Sequence, residues 1–316
     1  MYVADFANST PSLPGQKGRS RPVENLLTID LEDWHELAYR RITGDTPLPQ
    51  KHVFRQMDLL LELLERHQSH ATFFVLGSLA ERFPELPRRV ASLGHEIASH
   101  GYAHLVAHRL TRKQFEEDTR RSKQVLEDVI GRPVCGYRAA EFSIRADSLW
   151  ALEVLAELGF EYDSSIFPIY HRRYGIPGFF PRAAEYLLPN NACIKEIPLA
   201  TLSWGAMRLP MAGGGCFRVT PRSLLSRAVR RLNDSGIPMV AYFHPYEFDS
   251  ERLNVFVSGS PRRLRHRVRG LQWNLHQNLG RRTMTPKLAA LLQQYSFTTI
   301  ADFLRKEKCL ERKKLF

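Results

Sequence analysis

The chain has 316 residues, 43% of them hydrophobic and 25% charged, and its formal net charge is +12. This composition excludes a disordered chain, and the length suits a single α/β barrel with a large core. The basic balance is compatible with an anionic partner, but no helix-turn-helix, zinc-finger or RNA-recognition pattern accompanies the arginines. We therefore expect no nucleic-acid partner, and leave peripheral contact with an anionic membrane surface open.

The cysteines and the N-terminal residues indicate in which cellular compartment the protein is expected. The four cysteines form no Cys-x-x-Cys pair, which is typical of reduced thiols. Residues 1–22 are rich in Ser, Pro, Gly and charge and contain no apolar signal core, so they predict a flexible tail. No stretch approaches the ~18 apolar residues of a membrane span. We expect a cytoplasmic protein, with contact to the inner membrane as an open alternative.

Three acidic residues follow the first apolar run. This run, at 26–29, predicts a buried strand over 23–31. Asp30, Glu32 and Asp33 follow within four positions, and such crowding is unfavourable unless a cation or a proton compensates the charges. In parallel α/β folds, this edge of the sheet is where active sites lie.

Helix and strand patterns then alternate, which predicts a parallel sheet with helical crossovers. The predicted helices span 54–66, 86–93, 111–130, 148–158, 221–235 and 286–294, and the predicted strands span 71–76, 96–98, 134–137, 160–162, 194–198 and 239–243. A basic helix is predicted from 260 on, and a last strand and helix over 297–304. A Pro- and Gly-rich section at 167–189 is predicted to form part of a binding rim. The glycines at 213–215 lack a following Gly-Lys-Ser/Thr, so they predict a turn or a loop against a ligand.

Two histidines four residues apart, His100 and His104, follow the strand at 96–98. A helical turn would place both on one face, where they could bind one divalent metal ion. Two partly exposed helix histidines are the alternative. His95-Glu96 begins like the zinc-protease motif H-E-x-x-H, but Ser99 stands where the second histidine is needed, so that motif is excluded.

Charged side chains recur at the ends of the predicted strands, and each could be structural on its own. In a barrel these ends converge on one face, which favours a shared site. The residues are Asp30, Glu32, Asp33, His100, His104, Arg138, Asp163 and His244.

Taken in order, these motifs over 26–244 resemble the polysaccharide deacetylases of the NodB-homology, carbohydrate esterase family 4 type. Asp-x-Glu-Asp-Trp, Gly-Gly-Gly-Cys-Phe-Arg and His-Pro-Tyr-Glu-Phe-Asp resemble most closely the subgroup found with exopolysaccharide and PEP-CTERM/exosortase loci. The resemblance implies a distorted (β/α) barrel over 23–250 and a C-terminal helical extension with a basic tail, packed on the barrel, over 251–316. It also implies metal-dependent removal of N-acetyl groups from sugars of an exopolysaccharide or its precursor.

By the same resemblance, two histidines and one carboxylate hold a divalent ion, by default Zn²⁺, with Co²⁺, Ni²⁺ or Fe²⁺ as alternatives. Asp33 is preferred over Glu32 as that carboxylate. The implied general base is Asp30, held ionised by Arg138, and the implied general acid is His244, oriented by Asp163.

The predicted substrate contacts are Trp34, Tyr137, Trp204 and Phe243, with a core position as the alternative for Trp204. The family's Arg-x-Pro is Arg138-Ala139-Ala140 here, so a rigid turn is lost. The expected substrate is an N-acetylated glycan or a lipid-linked sugar, and the oligomeric state stays open. A small amide or ureide hydrolase of the same fold, or a glycan-binding module without activity, are the alternative functions.

Overall fold

A computed structural model of the chain describes residues 23–45, 51–204, 207–256, 263–307 and 309–315. The flexible tail predicted over 1–22 lies outside these ranges. Within them, no helix is both long enough and apolar enough to cross a lipid bilayer.

The main sheet is largely parallel. Its strands and those of a separate hairpin are β1 (Asn25–Leu31), β2 (Thr72–Val75), β3 (Glu96–Ser99), β4 (Gly136–Tyr137), β5 (Tyr162–Asp163), β6 (Ala184–Leu187), β7 (Cys193–Glu196), β8 (Thr201–Trp204), β9 (Met207–Pro210), β10 (Val240–Phe243), β11 (Phe297–Thr298) and β12 (Glu311–Lys314). The order is β10-β1-β2-β3-β4-β5-β7-β6-β12, with β11 also on β1 and with only β6 and β7 antiparallel in this sheet. β8 and β9 form the hairpin.

Backbone hydrogen bonds connect the edge strand β10 to the segments that flank the hairpin. The Ala200 N–H donates to the Val240 carbonyl at 3.4 Å, and the Tyr242 N–H donates to the Ala212 carbonyl at 2.7 Å. These irregular segments beside the hairpin therefore connect the sheet back to β10. The predicted α/β architecture is confirmed.

Helices cover the sheet and bury their apolar faces against it. They are α1 (Trp34–Thr43), α2 (His52–Arg66), α3 (Gly77–Arg82), α4 (Glu85–Ser92), α5 (Arg112–Ile130), α6 (Trp150–Glu157), α7 (Gly214–Val219), α8 (Arg222–Asp234), α9 (Leu264–Asn278), α10 (Met284–Gln294) and α11 (Ile300–Lys306). Thr111, the first residue of the predicted helix, is the N-cap of α5, and its side chain and that of Gln114 form a reciprocal capping box. α1 and α3 were not predicted by the sequence pattern.

The C-terminal residues, predicted as a helical extension with one last strand and helix over 297–304, contribute two strands. β11 pairs with β1 in the centre of the sheet, and β12 pairs with β6 at its edge. Arg281 is buried and donates to the backbone carbonyls of Tyr246 and Asp249, which follow β10. Loss of this region would therefore expose the sheet as well as the loop after β10.

Candidate metal and catalytic site

The parallel register brings the ends of four strands together. Ile29 pairs with Phe243, and Ser99 pairs with Tyr137. Parallel strands end at the same edge of the sheet. The residue that follows each of these four paired residues therefore lies at one end of the barrel. These residues are Asp30, His100, Arg138 and His244.

Three of the predicted side chains could hold a metal ion. One ligand atom each from Glu32, His100 and His104 lies within 4.8 Å of the other two. The Nε2 atoms of His104 and His100 are 3.0 and 3.8 Å from Oε2 of Glu32. Two imidazoles and one carboxylate leave further coordination positions free, as catalytic zinc sites do.

The tautomer of His100 is set by its backbone contact. Its Nδ1 lies 2.9 Å from the Arg138 carbonyl, which can only accept a hydrogen bond. Nδ1 therefore carries the proton, and the lone pair of Nε2 faces Glu32. Burial lowers the pKa of His100, which also favours the neutral ring that a metal ion requires.

The two histidines meet through a loop, so the predicted helical turn is wrong. Gly101 and His104 have positive φ angles of 74° and 54°, which a right-handed helix does not contain. The Asp118 carboxylate fixes the loop by accepting hydrogen bonds from the Tyr102 and Ala103 N–H groups at 2.8 and 3.1 Å.

Glu32, and not the preferred Asp33, lies with the two histidines. Asp33 is the N-cap of α1, and its Oδ1 accepts hydrogen bonds from the backbone N–H groups of His35 and Glu36 at 3.0 and 3.2 Å. Its Oδ2 lies 3.5 Å from Arg82. Capping and the salt bridge occupy both oxygens, so the preference for Asp33 is corrected to Glu32.

Glu32 is negatively charged in this environment. Burial raises its pKa, but the histidine charges beside it, first that of His104, outweigh this effect and lower the pKa to about 2. An ionised carboxylate buried beside two ring nitrogens suits a divalent cation, because the cation would compensate the buried charge.

Asp30 is held by Arg138, as predicted. The Nη1 atom of Arg138 donates to Asp30 Oδ1 and to Thr28 Oγ1, each at 2.8 Å. Its Nε and Nη2 donate to the carbonyl and hydroxyl oxygens of Ser164 at 3.0 and 2.9 Å. The guanidinium is fully buried, so these contacts fix both its position and that of the carboxylate.

His244 has a different carboxylate partner from the predicted one. Its Nδ1 lies 3.7 Å from Glu247 Oε1, an ion-pair distance, and its Nε2 lies 3.6 Å from Glu32 Oε1. Burial lowers the pKa of His244, but Glu247 and Glu32 outweigh it and raise the pKa to about 9. Glu247 is the third residue after His244, in a one-turn 3₁₀ helix over Pro245–Phe248 that the sequence reasoning missed.

Asp163 does not orient His244. It accepts hydrogen bonds from the backbone N–H and the hydroxyl of Ser165 at 3.1 and 2.6 Å. It also faces Glu196, and burial raises the pKa of both carboxyls. Asp163 is thus a buried residue of the sheet, and that predicted role is wrong.

The site opens into a cavity of about 460 Å³. Trp34, a predicted substrate contact, forms part of its wall, and so do Gly214 and Gly215 of the predicted turn or ligand loop. Arg173 and Tyr174 come from the predicted rim at 167–189. Helix α9 contributes Trp273, His276 and Gln277, which no motif in the sequence indicated.

Two predicted substrate contacts lie in the core. Tyr137 packs its ring against Phe115 and Phe160. Phe243 is fully buried and packs against Phe217 and Phe248. Both point away from the cavity because alternate strand residues face opposite sides of the sheet. The backbone of Trp204 ends β8, but its side chain lies outside the described residues.

One buried arginine in the cavity wall has an unused donor. Arg218 of α7 is 6% exposed, and its Nη1 donates to the Gln277 carbonyl at 2.7 Å and to Gln277 Oε1 at 3.1 Å. Its Nε is buried without a partner, and no carboxylate in the described ranges forms a salt bridge with it. A buried guanidinium in this state is unfavourable until an anion approaches it.

Comparison with known proteins gives two sequence matches that divide the chain. Residues 55–162 match a family model described as polysaccharide deacetylase, and residues 164–305 match one described as a domain of unknown function (DUF3473). A peptidoglycan deacetylase of Helicobacter pylori is 34% identical over 122 residues, which are 37% of this chain and 40% of that protein. A chitooligosaccharide deacetylase of Sinorhizobium fredii is 34% identical over 97 residues, which are 30% of this chain and 42% of that protein.

The chain thus covers about two fifths of the length of these relatives. The crystal structure of a candidate polysaccharide deacetylase from Mycobacterium smegmatis superposes over 96% of this chain and 97% of that one. Its TM-score is 0.55 at 20% sequence identity, which shows a shared fold. Residues 55–162 are thus similar to polysaccharide deacetylases, and the fold of the chain is shared with the Mycobacterium smegmatis protein.

Proposed function

We propose that this protein is a metal-dependent hydrolase that removes N-acetyl groups from a glycan. The observation that carries the proposal is the cluster of Glu32, His100 and His104 beside Asp30 and His244, at the bottom of one cavity. Peptidoglycan and chitooligosaccharide deacetylases are among the relatives, which supports an N-acetylated sugar as substrate.

Glu32, His100 and His104 would hold the ion, and the donor set favours zinc, with Co²⁺, Ni²⁺ or Fe²⁺ as alternatives. A divalent ion bound there would supply Lewis-acid polarisation of the acetyl carbonyl and lower the pKa of a bound water. The hydrogen bond from His100 Nδ1 to the Arg138 carbonyl orients one ligand ring.

The remaining residues act as general base and general acid. Asp30, held in place by Arg138, takes a proton from the attacking water. His244, whose pKa of about 9 keeps it protonated near neutral pH, gives a proton to the leaving nitrogen. Glu247 holds that proton on the ring through its negative charge, the role that the sequence had assigned to Asp163.

The cavity wall favours a substrate that carries an acidic group near the acetylated sugar. Arg218 has a buried Nε without a partner and no carboxylate beside it in the described ranges, and a carboxylate or phosphate would satisfy that donor. An exopolysaccharide with acidic sugars, or a precursor linked to a lipid through phosphate, meets this requirement. The cytoplasmic location stays a prediction, and cell fractionation would test it.

The test is acetate release from N-acetylglucosamine oligomers by metal-loaded protein, by chelated protein and by Asp30→Asn. We expect metal-dependent release by the wild type and a loss of about 10²- to 10⁴-fold in the variant. Absence of release with an ion bound would favour a different acyl substrate, such as a small amide or ureide. Absence of both release and metal binding would contradict the proposal and favour a glycan-binding module.

A further inference from the structure

Helix α9 carries a row of exposed apolar side chains. They recur every three or four residues, which places them on one face of a helix. Their exposed fractions lie between 47% and 76%, and we call them the apolar stripe: Leu264, Val268, Leu271, Leu275 and Leu279, the last just beyond the helix. Single exposed leucines are common, but five on one line form a continuous patch.

The opposite face of α9 is already occupied. His266, Gly270 and Asn274 are buried. The Asn274 side chain accepts a hydrogen bond from the Val255 N–H at 2.8 Å, and Gly270 lies against the ring of Phe256. The helix is thus fixed on the protein by one face, and the apolar stripe points outward.

The segment of sequence that carries the apolar stripe is strongly basic. The sequence from 252 to 301 contains nine lysine and arginine residues and no aspartate or glutamate. Three of the cations lie on α9 itself: Arg265, Arg267 and Arg269, all of them exposed. At 100° per residue, Arg265 and Arg269 fall on one side of the apolar stripe and Arg267 on the other.

We propose that α9 docks on the surface of an anionic phospholipid bilayer, with its axis parallel to the membrane and its apolar stripe in the headgroup region. A basic helix with one apolar face is the type of element that binds there. A second copy of this chain is a poorer occupant of the stripe, because two such helices would bring arginines together without acidic partners.

This placement would orient the cavity. Trp273 and Gln277 of the same helix line its wall from the face opposite to the stripe, so docking would hold that wall one helix diameter, about 10–12 Å, from the headgroups. A glycan carried on a lipid could then reach the site without leaving the membrane. The docking itself does not depend on the chemistry proposed for the cavity.

Vesicle co-sedimentation of the full chain tests the proposal. Vesicles of phosphatidylcholine alone are compared with vesicles of phosphatidylcholine and phosphatidylglycerol at a ratio of about 7:3, at low and high salt. The test variant is Leu271→Ser/Leu275→Ser. The matched control is Leu187→Ser/Leu224→Ser, which alters two exposed leucines on β6 and α8. All four side chains lie at the surface, so both variants should fold, and circular dichroism checks this.

We expect the wild type and the control to bind the anionic vesicles, and the test variant to bind them at least about tenfold more weakly. Binding should fall as salt rises. Equal binding to both kinds of vesicle, or equal binding by the two variants, would overturn the proposal. A wild-type dimer that the test variant abolishes, without vesicle binding, would also overturn it by assigning the stripe to self-association.

Discussion

Arg138 Nη1 lies 2.8 Å from Asp30 Oδ1, and both side chains are buried. Removing one partner of a buried ion pair leaves the other charge uncompensated. Arg138→Gln should therefore reduce the free energy of unfolding by about 3–5 kcal/mol, measured by chemical denaturation. Adding Asp30→Asn to that variant should recover part of the loss, since the stranded carboxylate is gone. Equal stability of the single and double variants would contradict this pairing.

Glu32 and Asp33 are neighbours in sequence with different predicted phenotypes. Loss of a residue that only supports a metal ligand weakens metal binding about 10- to 100-fold. Glu32→Gln should weaken it by more, because this variant loses a ligand. Asp33→Asn should bind metal like the wild type and melt at a similar temperature, because asparagine also caps helices well. Calorimetric metal titration of both variants measures this. The reverse pattern would restore Asp33 as the ligand.

Glu247 should control the alkaline limit of activity. Without a bound ion the pKa of His244 is about 9, and a cation on Glu32 would lower it. The charge of Glu247 raises the pKa in both states, so His244 loses its role as an acid only at alkaline pH relative to a free histidine. Glu247→Gln removes a negative charge beside the ring, so the pKa should fall and the alkaline limb of kcat/KM should move to lower pH. A shift of one pH unit would reduce activity on that limb about tenfold.

The matched control for this pH profile is Asp163→Asn, since Asp163 contacts Ser165 and Glu196 instead of His244. The alkaline limb of kcat/KM for Asp163→Asn should lie at the same pH as that of the wild type, even if the variant is less stable. If Asp163→Asn moves the limb and Glu247→Gln does not, the assignment of the partner is wrong.

Arg218 should discriminate between charged and neutral substrates. Arg218→Gln should reduce the affinity for N-acetylglucosamine 1-phosphate or N-acetylmuramic acid by about 10- to 100-fold, and that for N-acetylglucosamine much less. Arg218→Lys keeps the charge but not the planar guanidinium. Its affinity for the acidic sugars should therefore lie between those of the wild type and Arg218→Gln. Equilibrium dialysis measures these affinities without turnover. The same loss for neutral and acidic sugars would indicate a merely structural role.

Much of the site could be predicted because strand ends are readable in the sequence. Buried strands appear as apolar runs, and parallel strands finish at one edge, so Asp30, His100 and His244 could be brought together without coordinates. Arg138 could be paired with Asp30 for the same reason. His104 was also predicted, but its position depends on a loop with positive φ angles that no periodicity indicates.

The errors have physical causes. Side chains alternate along a strand, so Asp30 and Glu32 face the same side at the end of β1. Asp33 faces away and caps α1, a helix that the sequence pattern did not predict. The same alternation buries Tyr137 and Phe243 beside functional neighbours. Glu247 could have been found, since it follows His244 by three residues after a proline that suits a helix start.

The metal titration of chelated protein tests the central claim most directly. Acetate release is followed while a divalent ion, zinc first, is added to the wild type and to Glu32→Gln. We predict that release by the wild type rises up to one equivalent of ion per chain and then levels off, as a single three-ligand site requires. The variant should show no such step. Release that is independent of added ion, or equal in the two proteins, would contradict the account.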